Sequence, residues 1–170
     1  MKNEEIILGT GNYENVLEGN IVSIDRDGGG LWCHYGKEYR RLAPESSTYQ
    51  KYKKTYMTLK KMPKETEEYL KIKTQMEDEF IKEYYETRLR KINSYDLLEK
   101  LYDLFGRDII LLSSEEIFAF SHRRILVDFI ELQTGIYTPE IIMSKGGKVR
   151  TLTPNSYKDR IKKIIDDNTY

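Results

Sequence analysis

The chain has 170 residues, which suits one domain and lets folding bury roughly two-thirds of the surface that the unfolded chain exposes. Its 28 basic and 28 acidic residues cancel, so no overall field attracts it to nucleic acid or to an anionic membrane. The single cysteine, Cys33, excludes an internal disulfide and a C-x-x-C motif, which favours a reducing, intracellular setting.

The amino-terminal segment lacks the features of a secretory signal. MKNEEIILGTG places two acids ahead of a short apolar run, whereas a signal begins with basic residues and has a longer hydrophobic core. No apolar stretch approaches the ~20 residues that span a bilayer. We expect a cytoplasmic protein whose partners are small molecules or proteins, with no membrane partner.

Two short β-type runs open the chain, and each leads into glycines. Glu5 to Leu8 is followed by Gly9, Thr10 and Gly11, and Asn20 to Asp25 is followed by Gly28 to Gly30. A G-x-G loop lets the backbone approach a phosphate, but Glu14 stands where a dinucleotide fingerprint has glycine. The signal for a phosphate loop at Gly9 to Gly11 is therefore weak.

Trp32 to Tyr39 predicts a small irregular excursion, and Pro44 ends it. The next segment, Tyr49 to Lys64, carries six lysines and no acid, interleaved with tyrosines. Such a segment can stack on and neutralise a single-stranded nucleic acid. The following segment, Lys64 to Ile92, is acidic and has the apolar spacing of one long or broken helix. We favour pairing between these basic and acidic faces, and expect no nucleic-acid partner.

The second half of the chain alternates helices and strands. Ser94 predicts the N-cap of a helix, and the unbroken apolar run Ile109 to Ser113 predicts a central parallel strand covered by helices on both faces. Ser121 to Gln133 has the apolar stripe of a helix, with Gly135 as its C-cap.

A strand over Ile136 to Met143 follows, with Pro139 marking an edge or an entry kink. Thr153 and Pro154 predict the cap and first residue of a terminal helix that runs to Asp166. The order β-β-α-α-β-α-β-α predicts one α/β domain over residues 1–170, with three layers and a mostly parallel central sheet.

Arg123 and Arg124 occupy the first turn of the predicted helix beyond Ser113, where the helix dipole disfavours cations by roughly 0.3–1 kcal/mol each. Ligands bind in the crevice beyond the carboxyl ends of parallel strands. Two arginines there fit a bound anion shared with the helix N-terminus. The alternative is a salt-bridge cluster with Glu115 and Glu116 that only holds the loop.

Other polar residues surround this predicted crevice. His122 is predicted to point toward the packed face of its helix, and a histidine there is more often structural than catalytic. No third ligand stands at a metal-binding spacing from the two histidines. We predict no metal and no cofactor. Ser113 and Ser121 lie outside any nucleophile motif, whereas Glu115 can accept from ribose hydroxyls or can lie solvated in its loop. Arg26 either shares a rim with Arg123 or lies in water.

Two stretches carry a family resemblance: VSIDRDGGGLWCHYGKEYRRLAPES with a YxxYK-type helix after it, and DIILLSSEEIFAFSHRRILVDFIELQTGIYTPEI. Over Ile7 to Ile142 the chain resembles the domain of unknown function 488 family. Members of that family show an ISR…P motif, a Y..LAP motif and an LLCYE strand that leads to a helix opened by CHR. The resemblance implies a Rossmann-like α/β domain.

The resemblance also implies site residues, which are Arg26, Tyr39, Leu42, Pro44, Glu115, His122 and Arg123. This chain departs from the family by carrying Ser113 and Ser121 where the family has cysteines. Because a thiolate is a far better nucleophile and metal ligand than an alcohol near neutral pH, the two serines argue against cysteine chemistry here.

From this pattern we expect a protein that binds a nucleotide or a nucleotide-derived phosphate. It would sequester or sense this ligand; a viral protein that sequesters a signalling nucleotide of the host defence is one example. The expected ligand-binding residues lie in four segments of the chain: Gly9, Thr10 and Gly11; Arg26 and Tyr39; Ser113 and Glu115; Ser121, His122, Arg123 and Arg124. The alternative is an enzyme that cleaves a glycosidic or phosphoester bond, with Glu115 as acid or base and Arg123 stabilising charge. Tyrosine-rich helices also offer faces for a homodimer.

Overall fold

A computed structural model describes residues 6–26 and 36–169. The predictions for Gly28 to Gly30 and for the first half of the excursion beginning at Trp32, including Cys33, lie outside the described residues. The described part is α/β with a six-stranded sheet. The strands are β1 (Ile7–Asn12), β2 (Asn20–Ser23), β3 (Lys37–Glu38), β4 (Ile109–Ser113), β5 (Glu140–Met143) and β6 (Val149–Leu152). The helices are α1 (Ser46–Leu59), α2 (Glu67–Thr87), α3 (Ser94–Phe105), α4 (His122–Thr134) and α5 (Lys158–Asp167).

The sheet has the order β3-β2-β4-β1-β5-β6 and is mostly parallel. The strands β1 and β2 flank β4 in parallel, and β5 and β3 continue the parallel pairing on either side. Only β6 runs antiparallel, to β5. The predicted strand Ile109 to Ser113 and the mostly parallel sheet are therefore confirmed.

The two faces of the sheet are covered differently. Ile109 and Leu111 of β4 face a large hydrophobic core that includes residues of α2 to α5. Ile110 and Leu112, which point the other way, join a smaller cluster formed by Val16 and by residues of β5. Within the described ranges this smaller cluster contains no helix residue. The coarse α/β architecture is thus established, and the three-layer arrangement stays a prediction.

The strand β1 continues through Gly9, Thr10 and Gly11, so the predicted glycine loop is wrong. A Cβ at Gly9 would lie 2.7 Å from Ile141, and one at Gly11 would lie 2.5 Å from Val16. These glycines therefore serve close packing of β1 against its neighbours and not the approach of a phosphate.

Several helix boundaries follow local capping chemistry. The α4 helix starts after Ser121 and ends at Gly135, whose φ of 77° is left-handed, as predicted. For α3 the cap is Asn93 and not Ser94, because the Asn93 side chain accepts from the first backbone amides. The terminal helix begins at Lys158 and not at Pro154. Residues 149–152 pair with β5 as a strand that the sequence pattern did not predict.

The basic segment forms most of α1, and the acidic segment forms α2. The two helices pack side by side, and Lys51 of α1 lies 2.7 Å from Glu83 of α2. This ion pair agrees with the predicted pairing of basic and acidic faces. No helix in the described part is long and apolar enough to cross a membrane.

Candidate ligand-binding site

A cavity of about 400 Å³ lies between α1 and the loop that joins β4 to α4. It is at the carboxyl edge of the parallel strands, where ligands bind in open α/β sheets. The α1 side chains that line it are Tyr49, Tyr52, Lys53, Tyr56, Met57 and Lys60. The other lining residues are Phe80 of α2, together with Ser114, Glu115, Glu116, Ala119, Phe120, Ser121 and His122.

One wall of this cavity is aromatic. The Tyr52 ring stacks on Phe120, with centroids 5.4 Å apart and planes 24° apart, and on Tyr56, with centroids 6.1 Å apart and planes 13° apart. The ring of Phe80 packs edge-on against Tyr52. Tyr56 is 43% exposed, so part of the wall is open to solvent. At its rim the Lys60 ammonium lies 5.2 Å from the Tyr56 centroid, within range of a cation–π contact.

The inner end of the cavity is a hydrogen-bonded cluster around His122. Nδ1 of His122 lies 3.2 Å from Oε1 of Glu115, and Nε2 lies 3.0 Å from the carbonyl oxygen of Ile24 and 3.5 Å from Oδ1 of Asp25. Asp25 and Glu115 follow β2 and β4, which are adjacent parallel strands. Their carboxylates converge because the carboxyl ends of such strands meet at one edge of the sheet.

The cluster determines the protonation of its members. Burial acts to lower the pKa of His122, but the carboxylates of Glu115 and Asp25 outweigh it and raise that pKa above the ordinary 6.5. Burial likewise acts to raise the pKa of Glu115, but the charges of His122 and Arg123 outweigh it and lower that pKa to about 2. Both ring nitrogens face acceptors, which favours the doubly protonated imidazolium beside an ionised Glu115.

Asp25, Glu115 and His122 also offer ligand atoms that lie within 4.8 Å of one another. A metal bound here would have to displace the proton that His122 shares with these carboxylates. The geometry is that of a charge-assisted hydrogen-bond cluster, and the absence of a metal stays a prediction.

Two buried polar atoms lie at this end of the cavity without hydrogen bonds to described residues. They are Oγ of Ser121, a residue that is 1% exposed, and Oε2 of Glu115. A buried polar group without a partner costs about 1–3 kcal/mol. Glu115 lines the cavity with 20% of its side chain accessible, and its buried Oε2 also lies 3.6 Å from Nη1 of Arg123.

Arg123 lies in the protein interior and not at the predicted anion site. Its guanidinium is fully buried, with Nε 3.0 Å and Nη2 2.9 Å from Oε1 of Glu140. Nη1 donates to Oγ of Ser113 and to the backbone carbonyl of Glu115, and Nη2 donates to the carbonyl of Glu116. These contacts use all five donors of the group. The prediction that Arg123 binds an anion or stabilises developing charge is therefore wrong; this arginine holds the loop.

Arg124 is also buried, at 3% exposure, and is likewise wrongly predicted to face a bound anion. Its Nη1 donates to Oγ1 of Thr10 and to the carbonyl of Thr138, and its Nη2 lies 3.8 Å from Asp128. Thr10 in turn donates to Oε2 of Glu140. Buried acids on β5 and α4 thus offset the unfavourable position of two cations at a helix start.

Arg26 and Tyr39 do not line the cavity. Arg26 contacts the Pro44 carbonyl and lies 3.5 Å from Glu45, at the start of α1. Tyr39 packs edge-on against Phe105 on the helical side of the sheet. Of the predicted site residues, the structure brings Glu115, Ser121 and His122 to the cavity, with Ser113 beneath the same loop.

Sequence reasoning missed the aromatic and basic residues of α1 as part of this site, and it missed Asp25 and Glu140. The basic segment with its tyrosines and lysines is evident in the sequence. Its position beside the β4–α4 loop depends on helix packing. Glu140 lacked any local signal, because it lies 17 residues from Arg123 along the chain.

Comparison of the chain with protein-family models, with curated proteins and with solved structures finds no match. The resemblance to the domain of unknown function 488 family therefore stays a prediction.

Proposed function

We propose that this protein binds a nucleotide or a nucleotide-derived phosphate ligand in the cavity between α1 and the β4–α4 loop. The observation that carries the proposal is the composition of that cavity: a stacked aromatic wall, lysines at the rim and an ionised carboxylate at the inner end. These three features match the base, the phosphate and the sugar hydroxyls of one ligand. The predicted family membership and Rossmann-like class are part of the same proposal.

Each part of the ligand has a defined contact. A base stacks on Tyr56 at the exposed end of the aromatic wall, in the place that the Lys60 ammonium takes without ligand. This stacking contributes roughly 1–3 kcal/mol. Phosphate oxygens bind Lys53 and Lys60, and Lys53 has no ion-pair partner among the described residues. Ribose hydroxyls donate to Glu115, while Ser121 supplies a buried hydroxyl with no other partner in the described part. A pocket of about 400 Å³ is in the range of small-molecule sites.

Calorimetric titration of the full chain with nucleoside mono-, di- and triphosphates tests this proposal. We expect binding that Lys53→Ala weakens about tenfold, since it removes a phosphate contact of about 1.4 kcal/mol. Lys54→Ala is the matched control, because Lys54 is the next residue of α1 and does not line this cavity. Absence of heat with every nucleotide, or equal losses in the two variants, would contradict the proposal.

A protein that returns its ligand intact would sequester or sense it. The second candidate function is hydrolysis of the glycosidic bond of a nucleotide, and the state of Glu115 favours it. An ionised carboxylate in the cavity can stabilise or attack the sugar carbon as the bond to the base breaks; water then supplies hydroxide to the sugar and a proton to the base. With a pKa of about 2, Glu115 is not a general acid at neutral pH.

Product analysis separates the two candidates. After long incubation a binder leaves its nucleotide unchanged, whereas a glycosidase releases free base at the rate set by the enzyme concentration. The Glu115→Gln variant should abolish that release, because the neutral amide does not stabilise a cationic sugar. Base release that persists in Glu115→Gln would rule out this role for Glu115.

A further inference from the structure

A second cavity of about 360 Å³ adjoins the proposed nucleotide site. It lies toward α5, on the other side of the aromatic wall. The two cavities have four lining residues in common, which are Tyr52, Tyr56, Ala119 and Phe120. One aromatic group therefore forms a wall of both spaces, and a ligand in one space lies next to a ligand in the other.

The second cavity repeats the chemistry of the first with different residues. Phe120 packs edge-on against Tyr157, with centroids 5.4 Å apart, and Tyr69 adds a further ring. Lys73 is exposed and has no ion-pair partner in the described ranges, which leaves its ammonium available for a phosphate. Asn155 offers an exposed side-chain amide, which can both donate to and accept from a base edge.

Phe118 lines this second cavity in an unusual conformation. Its φ is 64°, in the left-handed region that favours glycine, and its side chain is 57% exposed. A bulky residue in this region costs of order 1–3 kcal/mol, and such strain clusters at ligand sites. Burial of the Phe118 ring does not account for the conformation, since most of the ring is exposed to solvent. The backbone amide of Ala119 donates to the carbonyl of Glu116 across a turn with Phe118 at its third position, and this turn holds the exposed ring at the edge of the cavity.

We infer that the preferred ligand carries two nucleobases joined by phosphate, with one base in each cavity. This inference rests on the proposed nucleotide function and specifies its ligand class. One base stacks on the Tyr56 side of the wall and the other is covered by Phe118, while Lys53 and Lys73 contact phosphate oxygens from the two sides. Each space, at about 400 and 360 Å³, accommodates about one nucleoside.

The test compares ligands with one base and with two. The full chain is titrated with the four nucleoside monophosphates, with linear 3′–5′ and cyclic dinucleotides of the same bases, and with 5′–5′ dinucleoside polyphosphates. We expect at least one two-base ligand to bind more than tenfold tighter than its monophosphate, because a second base stacks. If every two-base ligand binds no tighter than the monophosphate, this inference fails and the nucleotide site stands. If no nucleotide binds at all, the proposed function itself fails.

Phe118→Gly supplies the matched variant. Glycine suits a φ of 64°, so this change removes the ring without straining the backbone, and the melting temperature should stay the same or rise. We expect the affinity for the two-base ligand to fall to that of the monophosphate, with monophosphate binding unchanged. Phe118→Tyr, which keeps the ring, should retain the two-base preference. Equal losses for both ligand classes in Phe118→Gly would overturn the assignment of Phe118 to the second base.

Discussion

At the scale of single residues, two buried charges decide what the site can do. Arg123 directs its guanidinium to Glu140 and to the backbone carbonyls of the loop, so the loop is held by a buried cation that does not line the cavity. His122 holds the Glu115 carboxylate from the opposite side. Glu115 is thereby presented to the cavity in one position and in one charge state, which is what selective recognition of a hydroxyl requires.

Arg123→Met should destabilise the fold by about 3–5 kcal/mol, because it leaves the Glu140 carboxylate buried without its main partner. Urea unfolding followed by far-UV circular dichroism measures this change. Lys54→Met, an exposed change on α1, should stay within about 0.5 kcal/mol of the unmodified chain. A loss below about 1 kcal/mol in Arg123→Met would show that the buried pair is not needed to hold the loop.

The pH dependence of stability should have two limbs. The pKa of Glu115 falls from an ordinary 4.5 to about 2 in the folded state, so its contribution is present above pH 4.5 and is lost as the pH falls toward 2. The pKa of His122 is raised above 6.5, so its contribution is present below pH 6.5 and is lost as the pH rises through the folded value.

The His122 limb can be measured directly, because the chain has two histidines. In a His34→Gln variant the remaining imidazole signal belongs to His122, and its proton chemical shift should titrate above pH 6.5. Adding Glu115→Gln should lower that pKa, since the amide removes the nearest negative charge. A His122 titration at or below pH 6.5 in the presence of Glu115 would contradict the charged cluster.

Among the elements, the strand β1 positions the buried polar residues that support the site. It lies between β4 and β5, and its Thr10 hydroxyl connects Arg124 to Glu140. The glycines on either side of Thr10 let neighbouring side chains approach the backbone. The position of Glu140, and with it Arg123, therefore depends on close packing of β1 against β5.

Gly9→Ala should destabilise the protein by about 1–3 kcal/mol, because the new methyl group would lie 2.7 Å from Ile141. The loss should be smaller when Ile141 is shortened to alanine, since the space is then free. A double-mutant cycle on thermal unfolding measures this coupling. Additive losses for Gly9→Ala and Ile141→Ala would show that the contact does not limit the strand position.

At the scale of the whole molecule, the site is a junction of distant segments. The packing of α1 on α2 brings the tyrosines and lysines to the sheet, and the parallel pairing of β2 with β4 brings Asp25 to Glu115. A ligand bound between α1 and the loop contacts groups that unfolding would separate. Binding and global stability are therefore linked.

A saturating nucleotide should raise the melting temperature, because a ligand at a hundred times its Kd stabilises the fold by about 2.7 kcal/mol. For a domain of this size that corresponds to a rise of several degrees, about 2–4 °C per kcal/mol. The rise should depend on ligand concentration and should shrink in Lys53→Ala but not in Lys54→Ala. A melting temperature that no nucleotide changes would contradict linkage at this site.

Elements that are specified by neighbouring residues could be predicted from the sequence. Hydrophobic pattern and caps depend only on neighbouring residues, which is why β4 from Ile109 to Ser113 and α4 with its Gly135 cap could be predicted. Glu115, Ser121 and His122 were likewise assigned to the site because they follow a recognisable central strand. The same local signals predicted a loop at Gly9 to Gly11, which was wrong. Gly9 is needed because Ile141, which is distant in the sequence, packs against its backbone.

Which charged side chains are buried and which line the cavity depends on the tertiary structure. Judged from neighbouring residues alone, Arg123 and Arg124 are cations at the start of a helix. Their partner Glu140 lies on β5, a strand that follows this helix in the sequence. The lysines and tyrosines of α1 line the cavity only because α1 packs beside the β4–α4 loop. The physical reason is that a side chain's charge partner and exposure depend on what lies within a few ångströms, and folding sets those distances.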